Sequence, residues 1–127
     1  MIPVVDIFAG PGGLGEGFAA ARDRHRRPAF DVVLSIEKER HAVQTLRLRS
    51  FFRQFPAGQA PEDYYRLLRR QISLADLYAR HPAEGDRAAC RTWHAELGGK
   101  GTHSQDVDER IAAAVEGERN WVLVGGS

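Results

Sequence analysis

One cysteine, Cys90, stands among 127 residues. A single thiol makes neither an internal disulfide nor a cysteine-based zinc site, so a disulfide-stapled secreted scaffold is excluded and a cytoplasmic location is expected. Lysine is almost as scarce, with Lys38 and Lys100 alone. Nearly all the positive charge is therefore guanidinium, and 18 basic residues against 17 acidic ones leave a net charge of +1. That balance makes no overall basic field of the kind that gathers nucleic acid. Long hydrophobic runs are missing too. Nothing approaches the ~18 apolar residues of a membrane span, and no basic segment followed by an apolar run opens the chain as a signal peptide does. His25, His41, His81, His94 and His103 show no ligand spacing with one another or with Cys90, so no metal site is read. No internal repeat is visible.

What remains is enough apolar sequence for one modest domain with a core. Pro3–Phe8 is a short buried strand in which Val4, Val5, Ile7 and Phe8 surround one acid, Asp6. A glycine-rich loop follows, and Leu14, Phe18 and Ala21 then fall at helical spacing. The basic run RDRHRRP closes that helix at Pro28. Phe30–Ile36 is a second, β-branched strand, and 37–52 a helix with Ala42, Val43 and Leu46 on one face.

Residues 56–87 read as a helical insert: short helices over 62–70 and 73–80 between loops at 56–61 and 82–86. Ser73 is a candidate N-cap with Asp76 three residues on. Within the insert, Tyr64 and Tyr65 beside Arg66, Arg69 and Arg70 either touch a DNA backbone or form a solvated helix with one ring packed inward. A third strand is expected over 90–97, with Cys90 a buried, inert thiol beside it. A helix over 106–115 and an apolar strand, WVLV, over 121–124 complete the order. Trp93 and Trp121 are expected in the core. Strands alternating with helices predict an α/β fold with a mostly parallel sheet.

The most informative stretch is Asp6–Phe18, DIFAGPGGLGEGF, in which six of thirteen residues are glycine or proline. Glycine lets a backbone turn tightly and approach a ligand closely, and a helix N-terminus offers free N–H groups. Gly10, Gly12 and Gly15 satisfy G-x-G-x-x-G between a strand and a helix. Glu37, just after the second strand, stands where such sites place the acid that accepts ribose hydroxyls. The pattern indicates a cofactor carrying adenosine.

This stretch resembles the first motif of the DNA cytosine-5 methyltransferases, Asp-x-Phe-x-Gly-x-Gly-Gly followed by a helix. The resemblance implies a Rossmann-like fold that binds S-adenosyl-L-methionine. Phe8 would pack against its adenine, and the loop of Ala9, Gly10, Pro11, Gly12 and Gly13 would cradle its methionine end. Glu37 would accept from the ribose, and Lys38 occupies the position that covers the adenine, where the family commonly has a large apolar residue. The family's third motif, Gly-Asp-Ile, has no counterpart here. Glu96 is the candidate for its adenine-contacting acid, against the reading of an exposed strand-end acid.

In the same family a fourth strand leads through a glycine-containing loop to Pro-Cys-Gln, whose cysteine attacks cytosine C6 so that C5 can accept a methyl group. WVLVGGS looks like that strand and the start of that loop. The resemblance thus implies the cofactor-binding part of a catalytic domain, 1–127, truncated after its fourth strand. It implies no catalytic residue in this chain and no target-recognition domain. Double-stranded DNA would be bound through the missing C-terminal part, and a second polypeptide is one possible source of Pro-Cys-Gln. The fourth strand would then lie at an uncovered sheet edge. Two other readings stand beside this one: a nicotinamide- or flavin-dependent oxidoreductase using the same glycine loop, and a non-catalytic cofactor-binding module.

Overall fold

A computed structural model describes residues 1–125. The residues Gly126 and Ser127 of the expected loop after the fourth strand lie outside the described residues. The elements run β1 (Ile2–Ile7), α1 (Gly13–Ala20), β2 (Phe30–Glu37), α2 (Arg40–Arg53), α3 (Glu62–Leu68), α4 (Leu74–Arg80), α5 (Pro82–Cys90), β3 (Thr92–His94), α6 (Ser104–Val115) and β4 (Val122–Gly125). The four strands form one sheet in the order β3-β2-β1-β4, every pair parallel. This is the Rossmann-like α/β architecture that the alternation of strands and helices predicts.

The sheet is covered unequally. On one face Val5, Leu34 and Ile36 form a core with Val115 of α6, joined by Ile7, Trp93 and Ile111. On the other face α1 lies close over Asp6 and Val32, because Gly15 offers no side chain there. An extra residue in β2 shifts its register on β1: Val4 faces Val32 while Val5 faces Leu34. That bulge is a local twist, with Val33 the residue left without a partner.

The region 56–87 is helical as expected, but it differs in one element. Residues 82–90 form α5, where the sequence suggested a loop and the beginning of a strand. Pro82 is its first residue, where the missing N–H costs nothing, and Gly85 packs tightly on Tyr78, where a Cβ would lie 3.1 Å from the Tyr78 Cβ. The glycine that reads as a loop signal is there for helix packing. The third strand consequently shrinks to three residues.

Cys90 therefore ends a helix and is exposed, which corrects the expectation of a buried thiol. Trp93 does pack on the core, whereas Trp121 is 37% exposed. The Ser73 cap is present, its hydroxyl accepting from the Asp76 amide at 3.1 Å and its amide donating to the Asp76 carboxylate at 3.0 Å.

These helices dock on α2 through a second core of Phe51, Leu77 and Ala88, ringed by Leu48, Phe55, Tyr64, Leu67, Ile72 and Tyr78. Tyr64 turns inward onto Phe52, ring centroids 4.7 Å apart. Phe51 is fully buried at the centre and meets Phe55 and Tyr78 edge-on. Truncating such a ring leaves a cavity that the helices cannot fill. Phe51→Ala is expected to lower stability by about 3–5 kcal/mol in urea unfolding; a loss below about 1 kcal/mol would show that the insert adds nothing to the cooperative unit.

Candidate cofactor-binding site

β1 and β2 end side by side, and the turn after β1 is tied to the end of β2. The Ala9 amide donates to the Ile36 carbonyl at 3.1 Å. The Glu37 carboxylate then accepts from the Gly10 amide at 3.2 Å and from the Glu39 amide at 2.6 Å. One side chain thus joins the glycine turn, the end of β2 and the entry to α2. Glu39 in turn caps α2, accepting from the amides of His41 and Ala42, and those hydrogen bonds hold its carboxyl below the usual range.

The glycines divide their work. Gly10 has φ +57 with open space where a side chain would stand, and Gly13, the first residue of α1, is equally open. Gly12 has φ +96, and a Cβ there would lie 2.8 Å from Leu46 Cδ2. It is needed by the protein's own packing. Gly15 would place a Cβ 3.0 Å from an Asp6 carboxylate oxygen. Among the nine residues singled out by sequence, Ala9 and Gly12 are buried, Gly10 and Glu37 half-buried, and Phe8, Pro11, Gly13, Lys38 and Glu96 exposed.

Four of these nine meet in one place. Phe8, Glu37, Lys38 and Glu96, with Ile36, Ala95 and Leu97, line a cavity of about 220 Å³ at the carboxyl ends of β1, β2 and β3. Ala9, Gly10, Pro11, Gly12 and Gly13 are not part of its wall; they form the turn beside it. Ligands of open α/β sheets bind outside the carboxyl ends of the strands, in this position. Phe8 is the strained element. It sits at φ +51, a region that bulky side chains rarely enter, and the residue is 53% exposed. Strain of this kind, about 1–3 kcal/mol, concentrates at ligand sites. The cavity thus combines an exposed aromatic face, apolar Ile36 and Leu97, and a carboxylate at its rim. It suits a flat apolar ring joined to vicinal hydroxyls.

Two residues at the site were not among those the sequence singled out for it. His94, at the end of β3, donates through Nε2 to the Lys38 carbonyl at 2.8 Å and so fixes the backbone that borders the cavity. Its pairing opposite Glu37 arises only from sheet register. Asp6 was legible as the lone acid of β1, but not as a fully buried one. Neither of its oxygens has a hydrogen bond of good geometry among the described residues. Burial pushes its carboxyl up to about 6, the nearby Gly15 amide and Arg53 guanidinium offsetting part of the cost. No group of three or more metal-ligating side chains occurs among the described residues. Cys90 stands away from the cavity, beside Pro3, Asp31 and Arg87 at the opposite end of the strands.

With this geometry in hand, the chain can be set beside known proteins. A stretch of 86 residues is 36% identical to the Type II methyltransferase M.Bpa9945I of Bacillus paralicheniformis, covering 62% of this chain and 18% of that protein. The chain spans less than a fifth of the length of the relative it matches. No family model matches the chain, and no solved structure matches it significantly. The similarity supports a methyltransferase, and the parallel sheet and glycine turn are consistent with that fold.

Two measurements test the site's architecture. Asp6 holds its proton in the folded state up to about pH 6 but only to about 3.8 when unfolded. The folded state therefore binds more protons in that interval, and stability falls as pH rises through it. The decline attributable to Asp6 is expected to reach roughly 2–3 kcal/mol and to vanish in Asp6→Asn; a variant with the same slope between pH 4 and 7 as the parent would refute the assignment. Separately, Gly12→Ala should cost about 1–3 kcal/mol through strain and the Leu46 contact, while Gly13→Ala should leave stability within about 0.5 kcal/mol. Equal losses at both positions would contradict the division of labour.

Proposed function

We propose that this chain binds S-adenosyl-L-methionine and forms the cofactor-binding portion of a DNA cytosine-5 methyltransferase. The observation that carries the reading is the cavity in which Phe8, Glu37, Lys38 and Glu96 converge beside the glycine turn. The similarity to a Type II methyltransferase supports it. In this reading the Phe8 ring stacks on the adenine, and the Glu37 carboxylate accepts from the ribose hydroxyls with the lone pairs its two amide contacts leave free. The open faces of Gly10, Pro11 and Gly13 admit the methionine end. Glu96 accepts from the adenine amino group, and the Lys38 stem lies over the ring edge. The cofactor supplies a methyl group activated by its sulfonium.

Cytosine C5 accepts a methyl group only after a thiolate adds at C6. Cys90 lies at the wrong end of the strands for that step, so the nucleophile and the DNA-recognition surface belong to residues beyond this chain. They come from the same polypeptide or from a second one carrying Pro-Cys-Gln. β4 suits such an extension. It is the last strand of the sheet among the described residues, and Trp121 and Leu123 are exposed along it.

Calorimetric titration with S-adenosylhomocysteine tests the reading. Binding is expected, and Glu37→Ala should weaken it at least tenfold, about 1.4 kcal/mol. Unchanged affinity in the variant would remove Glu37 from the site. Binding of NAD or FAD in place of S-adenosylhomocysteine would replace the methyltransferase by an oxidoreductase. The purified chain is expected to transfer no methyl group to DNA, and any turnover would overturn the placement of the nucleophile outside it.

A further inference from the structure

The cavity at the strand ends is bounded by two stretches of chain that meet where the sheet runs out. Phe8, Ile36, Glu37 and Lys38 lie at the ends of β1 and β2, and Ala95, Glu96 and Leu97 follow β3. β3 is an edge strand of three residues. Its pairing with β2 stops at Glu37 opposite His94. The Ala95 amide adds one further bond, to the Glu37 carbonyl at 3.0 Å. Lys38 lies beyond that ladder, and backbone past the end of a short edge strand opens readily unless something else holds it.

One side chain does hold it. His94 Nε2 lies 2.8 Å from the Lys38 carbonyl oxygen. A carbonyl only accepts, so this ring nitrogen carries the proton. The histidine thus continues the sheet by one hydrogen bond past its backbone pairing. Each wall is also tied on its own side. The Glu37 carboxylate accepts from the Gly10 and Glu39 amides. The Glu96 carbonyl accepts from the Gly99 amide at 3.1 Å. A Cβ at Gly99 would lie 3.1 Å from the Glu96 Cβ, so that turn packs directly on Glu96. The Ala95 amide and the His94 ring then join one wall to the other. His94 is exposed, so burial does not account for an imidazole at this place.

From this placement we infer that His94 is a positioning residue for the adenosine half of the cofactor. It holds Lys38 opposite Glu96 and so sets the width of the slot between the two walls before a ligand arrives. The inference rests on the cofactor reading given above. His94 is not part of the cavity wall, so it acts through the Lys38 backbone and not by touching the ring. Its physical content is preorganisation: a slot already held at working width spares the ordering of residues 37–39 when the ring enters.

Calorimetric titration of the full chain with S-adenosylhomocysteine tests it. His94→Ala and His94→Val both lack the donor, and valine suits an edge strand. Each should weaken binding about fivefold, the worth of one neutral hydrogen bond. His94→Gln presents an amide N–H at similar reach and should stay within about twofold of the parent. Hydrogen exchange of the ligand-free chain gives a second readout. The Glu39 amide, held by the Glu37 carboxylate, should exchange faster in His94→Ala and at the parent's rate in His94→Gln.

A merely structural histidine would lower unfolding stability in His94→Ala and leave the affinity of the folded chain unchanged; that result would overturn the inference. So would a glutamine variant as weak as the alanine one, since donation to Lys38 would then not be the cause. A parent that binds no S-adenosylhomocysteine removes the cofactor reading and this inference with it. A parent that binds, with every variant equal to it, removes the inference alone.

Discussion

The absence of side chains at Gly12 and Gly15 is the constraint on which the rest of this structure depends. Gly15 lets α1 settle within 3.0 Å of the Asp6 carboxylate, measured from where its Cβ would be. Gly12 lets Leu46 of α2 reach the glycine turn. Gly15 lets α1 lie on the sheet, Gly12 lets α2 reach the turn before α1, and the Arg53–Glu16 ion pair spans the two helices. With the helices so placed, Glu37 can bridge the Gly10 and Glu39 amides. Glu37 is also part of the cavity wall at the strand ends. A side chain at Gly12 would press on Leu46, and one at Gly15 on the Asp6 carboxylate.

The cost of this arrangement is stored beneath it. Asp6 is fully buried with no hydrogen bond of good geometry among the described residues, and Phe8 is held at positive φ. Both residues lie within two positions of one another at the carboxyl end of β1. A core built only for stability would place a branched apolar residue at the first and a glycine at the second. The second core, centred on Phe51 between α2 and the insert, is the counterweight. It anchors α2 from behind, and α2 carries Leu46 against the glycine turn.

Charge is distributed along the strands in the same uneven way. At their carboxyl ends the acids Glu37, Glu39 and Glu96 surround a single lysine, Lys38. At their amino ends the 22–27 turn and Arg87 make a positive surface. The balanced net charge of the chain conceals this separation.

The alternation of apolar strands with amphipathic helices, the glycine turn and the acid after β2 were all legible in the sequence, because each is a local pattern. Phe8 and Glu37, expected from motif position, both line the cavity at the strand ends. What local pattern could not supply was anything set by pairing or packing. Residues 82–90 look like a loop and a strand because Pro82 and Gly85 are turn residues. They form a helix because Pro82 occupies its first position and Gly85 makes room for Tyr78.

Cys90 looks buried by composition and is exposed because that helix ends there. His94 joins the site through register with Glu37. The sequence by itself determined the fold class and the position of the glycine turn, since periodicity and backbone freedom are properties of neighbouring residues. Only the tertiary structure decided that Gly12 serves packing, that Asp6 is desolvated and that Arg22, Arg24 and Arg26 have no ion-pair partner among the described residues. Each of these depends on which atoms from distant parts of the chain come within contact distance.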